Sequence, residues 1–221
     1  MAAEQLPFDL GHRGAFARED FWVSDSNREA IGWLDKWPQW PAPALVIHGP
    51  AGSGKTHLLQ VWKQESGAIV FNPAKPLTHE TAVIVDDAET LVGTPAGEEA
   101  LFHAYNTLKE NGGHMLLAAA QPQRSWRFTL PDLKSRLLAA PAVQTGSPDD
   151  QLLAVVLTKL FSDRQIFVPQ EVVQFIVPRI ERSFDTARTL VDKIDRRALS
   201  KKNAVTVPLV RDVMMEQEKL V

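Results

Sequence analysis

The sequence predicts an α/β fold: a parallel five-stranded sheet with flanking helices, followed by an all-helical region. Three observations predict it. A glycine-rich turn joins the apolar run Ala44-Leu45-Val46-Ile47 to the amphipathic stretch His57-Leu58-Leu59-Gln60-Val61-Trp62. Further apolar runs of strand length alternate with helical patterns as far as Gln144, and from Ser147 onward the spacing is helical throughout. A chain of 221 residues, 44% hydrophobic and 23% charged, has the composition of an ordinary soluble globular protein. It is long enough for one large domain or two small ones.

At the N-terminus, Gln5-Leu6-Pro7-Phe8-Asp9-Leu10 alternates polar and apolar side chains, and Gly11 to Phe16 is a slightly basic, glycine-bearing connector. Such a hexapeptide cannot fold alone. It is either a short linear motif that docks extended in a groove of another protein, or a tail whose Leu6 and Phe8 pack on their own domain. Next, Ser24 or Ser26 can cap a helix running to about Trp37, with Ile31, Leu34 and Trp37 on one face. Pro38, Pro41 and Pro43 stop that helix. Trp22, Trp33, Trp37 and Trp40 crowd this segment and read as packing anchors rather than a base-stacking platform.

Ala68 to Phe71 reads as a short buried strand and Ala82 to Val85 as another. A helix follows over residues 97–110, with Leu101, Phe102, Tyr105 and Leu108 on one face, and Gly112-Gly113 ends it. His114 to Ala120 is the fourth strand, Leu130 to Leu137 a short helical piece, and Val143-Gln144 a brief last strand. Four helical patterns follow: Asp149 to about Arg164, Pro169 to Arg179, Ser183 to about Lys201, and Val207 to Lys219. The chain thus divides into a tail and tether (1–20), an α/β base (21–147) and a helical lid (148–221).

The turn at the centre is Gly49-Pro50-Ala51-Gly52-Ser53-Gly54-Lys55-Thr56, which fits the P-loop pattern G-x-x-x-x-G-K-[ST]. Gly49, Pro50, Gly52, Ser53 and Gly54 supply a backbone that can wrap a phosphate closely. Lys55 is placed to reach the β- and γ-phosphates, and Thr56 to offer its hydroxyl to Mg²⁺. The strand Ala82 to Val85 then delivers Asp86-Asp87, the acidic second half of such a site. Asp86 is expected to hold Mg²⁺ and Asp87 to orient or deprotonate the attacking water, whereas Glu89 is expected to face solvent. Positive charge for the transferring phosphoryl group has to come from an arginine. Arg136, Arg182 and Arg188 are candidates that periodicity does not separate from surface arginines.

Several function classes are excluded or disfavoured. Without cysteine there are no disulfides, zinc–thiolate sites or thiol chemistry. The start lacks a secretory pattern, and no apolar run is long enough to span a bilayer. The expected compartment is cytoplasmic. The net charge of −3 offers no global field for DNA.

With these pieces placed, the chain resembles the AAA+ family of ATPases and, within it, the DnaA branch. The entry segment Phe21 to Asn27, the P-loop, the double aspartate, and Leu133-Lys134-Ser135-Arg136 as the arginine-finger box carry the resemblance, which runs from about Phe21 to the end. It implies a bound adenine nucleotide, ADP or ATP, with Mg²⁺. It implies that Val23, Asn27 and His57 join the nucleotide contacts and that Arg188 is the lid's sensor arginine, with Arg182 the weaker choice. DnaA initiators continue into a helix-turn-helix domain, which is expected to be missing here, so no direct sequence-specific DNA binding is expected.

Short regulators of this branch begin with a Q-L-x-L-x-L motif for the DNA polymerase sliding clamp, and Gln5, Leu6, Phe8 and Leu10 match it with one phenylalanine substituted. The resemblance therefore implies a regulator that binds the clamp and stimulates hydrolysis of DnaA-bound ATP through Arg136, with a homodimer possible. One departure stands out: Ala118-Ala119-Ala120 ends the fourth strand where the family usually has a polar sensor. The chain's own hydrolysis is then expected to be weak. A helicase loader of the DnaC type and a non-catalytic scaffold are the alternatives.

Overall fold

The structure, a computed structural model, describes residues 22–201 and 204–218. Gln5, Leu6, Phe8 and Leu10 lie outside the described residues. The strands are β1 (Ala44–His48), β2 (Ile69–Val70), β3 (Ala82–Val85), β4 (His114–Ala119) and β5 (Ala142–Gln144). They form one parallel sheet in the order β2-β3-β4-β1-β5. Successive side chains of a strand face opposite sides, and here both sides are dry. Ala44 and Val46 of β1 enter one core with Met115 and Leu117 of β4; Leu45 and Ile47 enter the other with Leu116 and Ala118. That is why these strands read as unbroken apolar runs.

The first core is covered by α3 (Pro95–Glu110) and α4 (Pro131–Ala139), through Leu101, Leu108, Leu133 and Leu137. The second is covered by α1 (Arg28–Leu34) and α2 (Lys55–Ser66). There Trp40 stacks on Trp62 with ring centroids 5.4 Å apart, and Trp37 meets Trp62 edge-on at 5.9 Å. The tryptophans are packing anchors apart from Trp22, which is 47% exposed.

Two expectations are corrected. β2 is not buried: as an edge strand it pairs only with β3, and Ile69 and Val70 are 41% and 56% exposed. Neither serine side chain caps α1. Asn27 precedes the helix, its side-chain oxygen accepts the Ser24 N–H at 2.9 Å, and the Arg28 N–H donates to the Ser24 carbonyl instead. The helix proper ends at Leu34, short of Trp37.

The helical region comprises α5 (Asp150–Asp163), α6 (Gln170–Ile176), α7 (Phe184–Lys201) and α8 (Val207–Glu218). Leu157, Phe161, Ile176, Leu190, Ile194 and Val210 form its own core. Asp149 caps α5 by accepting the Leu152 N–H at 2.7 Å. The buried Arg164 guanidinium ties α5 to α7 through Asp192. Among the described residues no helix is long and apolar enough to cross a membrane.

Candidate nucleotide site

β1 hands the chain to the glycine-rich loop at the carboxyl edge of the sheet. The Gly49 N–H donates to the Ala119 carbonyl of β4 at 3.2 Å, and the Thr145 N–H donates to the His48 carbonyl at 2.8 Å. Burial, then the nearby Arg124 guanidinium, lower the His48 pKa against an opposing pull from Glu29, so this imidazole favours its neutral form.

The glycines of the loop are required twice over. Gly52 and Gly54 have φ of +69° and +89°, a region L side chains seldom adopt. A Cβ at Gly52 would lie 2.0 Å from Ser183 Oγ, and one at Gly54 would lie 2.9 Å from the Phe184 ring. The Phe184 N–H also donates to the Gly52 carbonyl at 2.9 Å. The start of α7 is therefore docked on the loop, and the lid's position is read by the P-loop backbone itself.

Gly54 immediately precedes α2, so the unpaired N–H groups and positive dipole end of that helix belong to the loop. Lys55 Nζ donates to the Gly49 and Pro50 carbonyls at 2.9 and 2.8 Å, with the ammonium folded back over the loop. Ser53 is 3% exposed, and its hydroxyl lies 2.9 Å from that of Thr145, whose Oγ1 also donates to the His48 carbonyl. The Ser53 side chain thus builds the floor of the loop, and its backbone is what remains for a phosphate. Sequence reasoning missed Thr145, which follows β5 and carries no motif.

Thr56 Oγ1 donates to Asp86 Oδ2 at 2.8 Å, joining the loop to the end of β3. The Asp87 N–H donates to Asp86 Oδ1 at 3.1 Å. Asp87 itself is left-handed, with φ 47° and ψ 44°, and leads into a 3-10 turn over Ala88–Thr90. Such a backbone costs a non-glycine residue about 1 kcal/mol, and aspartate is among those that tolerate it. Paired hydroxyl and carboxylate oxygens at Thr56 and Asp86 are the donor set a hard cation takes. Among the described residues no group of three or more His, Asp or Glu forms a metal site by itself. Mg²⁺ fits as a companion of phosphate oxygens, its usual mode.

The expectation for Glu89 is corrected. Its side chain is turned inward: Oε1 accepts the Ala120 N–H at 2.6 Å, and Oε2 is buried without a partner. A carboxylate from the turn after β3 therefore stands at the end of β4, where the sequence offers only a methyl group.

Of the remaining nucleotide candidates, His57 is half-buried on the first turn of α2 and Val23 is 48% exposed. Asn27 is 5% exposed and spends its amide on the Ser24 N–H and the Trp22 carbonyl. The Gly146 N–H donates to the Ser26 carbonyl at 2.8 Å, which pins this entry segment beside the exit of β5. In the lid, Arg182 pairs with Asp150 at 2.9 Å, while Arg188 lies one turn into α7 and 4.0 Å from Asp185. Arg136 makes its ring contacts on α3. It sits in the last turn of α4, its guanidinium 4.6 Å from the centroid of Phe102 and 5.6 Å from that of Tyr105.

Comparison with known proteins fits this geometry. The family model of the Hda lid domain matches residues 149–214. Domain III of the replication initiation protein DnaA from Thermotoga maritima superposes with a TM-score of 0.80 at 19% identity, covering 96% of this chain and 98% of that one. The chain thus has the fold of DnaA domain III, and its helical region is similar to the Hda lid domain. AMPPCP-bound DnaA from Aquifex aeolicus superposes at 0.72 and 16% identity, covering 92% of this chain and 70% of that one. An uncharacterised protein of Haemophilus influenzae is 29% identical over 228 residues, covering 96% of this chain and 98% of that protein.

Proposed function

We propose that this DnaA-related replication regulator binds the DNA polymerase sliding clamp and adenine nucleotide, and stimulates hydrolysis of the ATP held by DnaA. The nucleotide is held by the P-loop backbone, Lys55 and the N-terminus of α2, with Thr56 and Asp86 holding Mg²⁺ beside the phosphates. Val23, Asn27, His57 and Arg188 complete its surroundings. Bound magnesium supplies charge neutralisation on the phosphates; the chain's own residues orient them. Asp87 stays the candidate for positioning water; the residues ending β4 are alanines, and the carboxylate that reaches them, Glu89, spends Oε1 on the Ala120 N–H, so the chain's own turnover is slow.

The observation that carries the reading is the seating of the Arg136 guanidinium on the α3 rings of Phe102 and Tyr105. Arg136 leaves α4 on a half-buried aromatic seat, without an ion-pair partner among the described residues. A guanidinium so presented suits a phosphoryl group held by another protein, and fingers of this kind raise rates by roughly 10³ to 10⁵. Gln5, Leu6, Phe8 and Leu10 tether the protein to the clamp. The testing experiment follows hydrolysis of ATP bound to the cognate DnaA, in the presence of clamp loaded on DNA, with and without this protein. Stimulation with slow self-turnover supports the reading. Fast self-turnover with no effect on DnaA supports an energy-converting ATPase of the helicase-loader kind instead.

A further inference from the structure

One face of α3 carries three residues whose side chains all serve the segment that bears Arg136. They are Glu98, Phe102 and Tyr105, spaced four and three residues apart, so they stack along a single stripe of the helix. Glu98 is fully buried, and its carboxylate accepts the N–H groups of Gly93, Thr129 and Leu130 at 2.5 to 3.0 Å. Thr129 and Leu130 are the two residues directly before α4. One turn further along α3, Phe102 lies under the Arg136 guanidinium at 4.6 Å, and Tyr105 flanks it at 5.6 Å.

We infer that this stripe is the mount of the finger: Glu98 fixes where α4 begins, and Phe102 with Tyr105 are positioning residues that hold the Arg136 guanidinium pre-aimed. The inference rests on the reading of Arg136 as a residue that acts on a partner's nucleotide. The physical basis is the shape of the group. A guanidinium is planar, and its donors radiate from the edge. Laying one face on a ring uses the cation–π attraction while leaving the edge for a phosphate oxygen. A free arginine side chain samples many rotamers, and the seat removes that loss from the moment of docking. Tyr105 is only 5% exposed and braces the site from the core, whereas Phe102 is half-buried and its ring is the replaceable part.

The test compares Phe102→Leu, which keeps apolar volume but removes the π face, with Phe102→Tyr, which keeps the face, and uses Arg136→Ala as reference. The first readout needs no partner: ¹⁵N relaxation of the Arg136 Nε–H in the full chain. Expected is a lower order parameter in Phe102→Leu and an unchanged one in Phe102→Tyr; equal order in all forms overturns the seat. The second is the single-turnover rate of hydrolysis of DnaA-bound ATP against concentration of this protein. Phe102→Leu is expected to lower the maximal rate by about three- to thirtyfold without moving the half-saturating concentration, the span set by cation–π and arginine rotamer energies. Phe102→Tyr is expected to keep the rate. Equal losses in both variants, or no loss in Phe102→Leu while Arg136→Ala abolishes stimulation, overturn the mount alone. Full stimulation by Arg136→Ala overturns the finger reading, and the mount's purpose with it.

Discussion

Glu89 Oε1 accepts the backbone N–H of Ala120 at 2.6 Å, bridging the turn after β3 to the end of β4. The bridge adjoins the P-loop, because the preceding residue, Ala119, takes the Gly49 N–H on its carbonyl. The carboxylate thus ties the turn at Asp86-Asp87 and the glycine-rich loop into one unit. Replacing Glu89 with alanine removes that tie, and Ala120 is exposed enough for water to take its place. A loss of about 1 kcal/mol is expected by urea unfolding, the worth of one such hydrogen bond. Glu89→Gln keeps an acceptor and is expected to lose less.

Glu98 makes a larger demand. Burial raises its pKa, but hydrogen bonds from the Thr129, Gly93 and Leu130 N–H groups outweigh that, and the net shift is downward from 4.5. A lowered carboxyl pKa means the folded form binds fewer protons than the unfolded chain, so its contribution is present above pH 4.5. It is lost as pH falls below 4.5 through the folded pKa. Thermal scans from pH 5.5 to 3.5 are expected to show a falling Tm that is flatter in Glu98→Gln. Glu98→Ala, which takes the acceptor from the Gly93, Thr129 and Leu130 N–H groups, is expected to cost about 1 to 3 kcal/mol.

His114 is a second group whose protonation weakens the fold. It lies at the start of β4 against Trp40, with ring centroids 5.4 Å apart, and burial lowers its pKa from 6.5. The unfolded chain therefore takes up this proton more readily, and stability falls as pH drops below 6.5 towards the folded pKa. Comparing Tm at pH 7.5 and 5.5 is expected to show this drop in the natural chain and a smaller one in His114→Phe. An equal drop in both would remove His114 from the account.

Gly52→Ala tests the docking of lid on loop. The new methyl would meet Ser183 Oγ at 2.0 Å in a backbone with φ of +69°. Destabilisation above about 1 kcal/mol is expected from the backbone alone. Calorimetry with ADP is expected to show weaker binding than for the natural chain, and Lys55→Ala is expected to weaken it without comparable loss of stability. Unaltered affinity in both variants would contradict the phosphate contact.

Much of the base was legible in the sequence because its signals are local. The octet at Gly49 to Thr56, the apolar runs of β1, β3 and β4, and Asp86-Asp87 each carry their meaning within a few residues. What escaped depends on distance along the chain. Glu89 looks like any polar residue after a strand until Ala120, 31 residues on, arrives beside it. Thr145 reaches Ser53 across 92 residues, and Ser183 reaches Gly52 only when the lid docks. β2 misled for a different reason: Ile69 and Val70 read as core, but an edge position leaves such residues exposed whatever their hydrophobicity.

The central claim is that the hydrolysis that matters takes place on a partner, driven by Arg136. Its direct test is the single-turnover hydrolysis of DnaA-bound ATP with clamp-loaded DNA, comparing the natural chain with Arg136→Ala at saturating concentration. The account predicts that Arg136→Ala stays folded, keeps its own nucleotide, and loses stimulation by about a thousandfold or to background. Stimulation equal to that of the natural chain would contradict it.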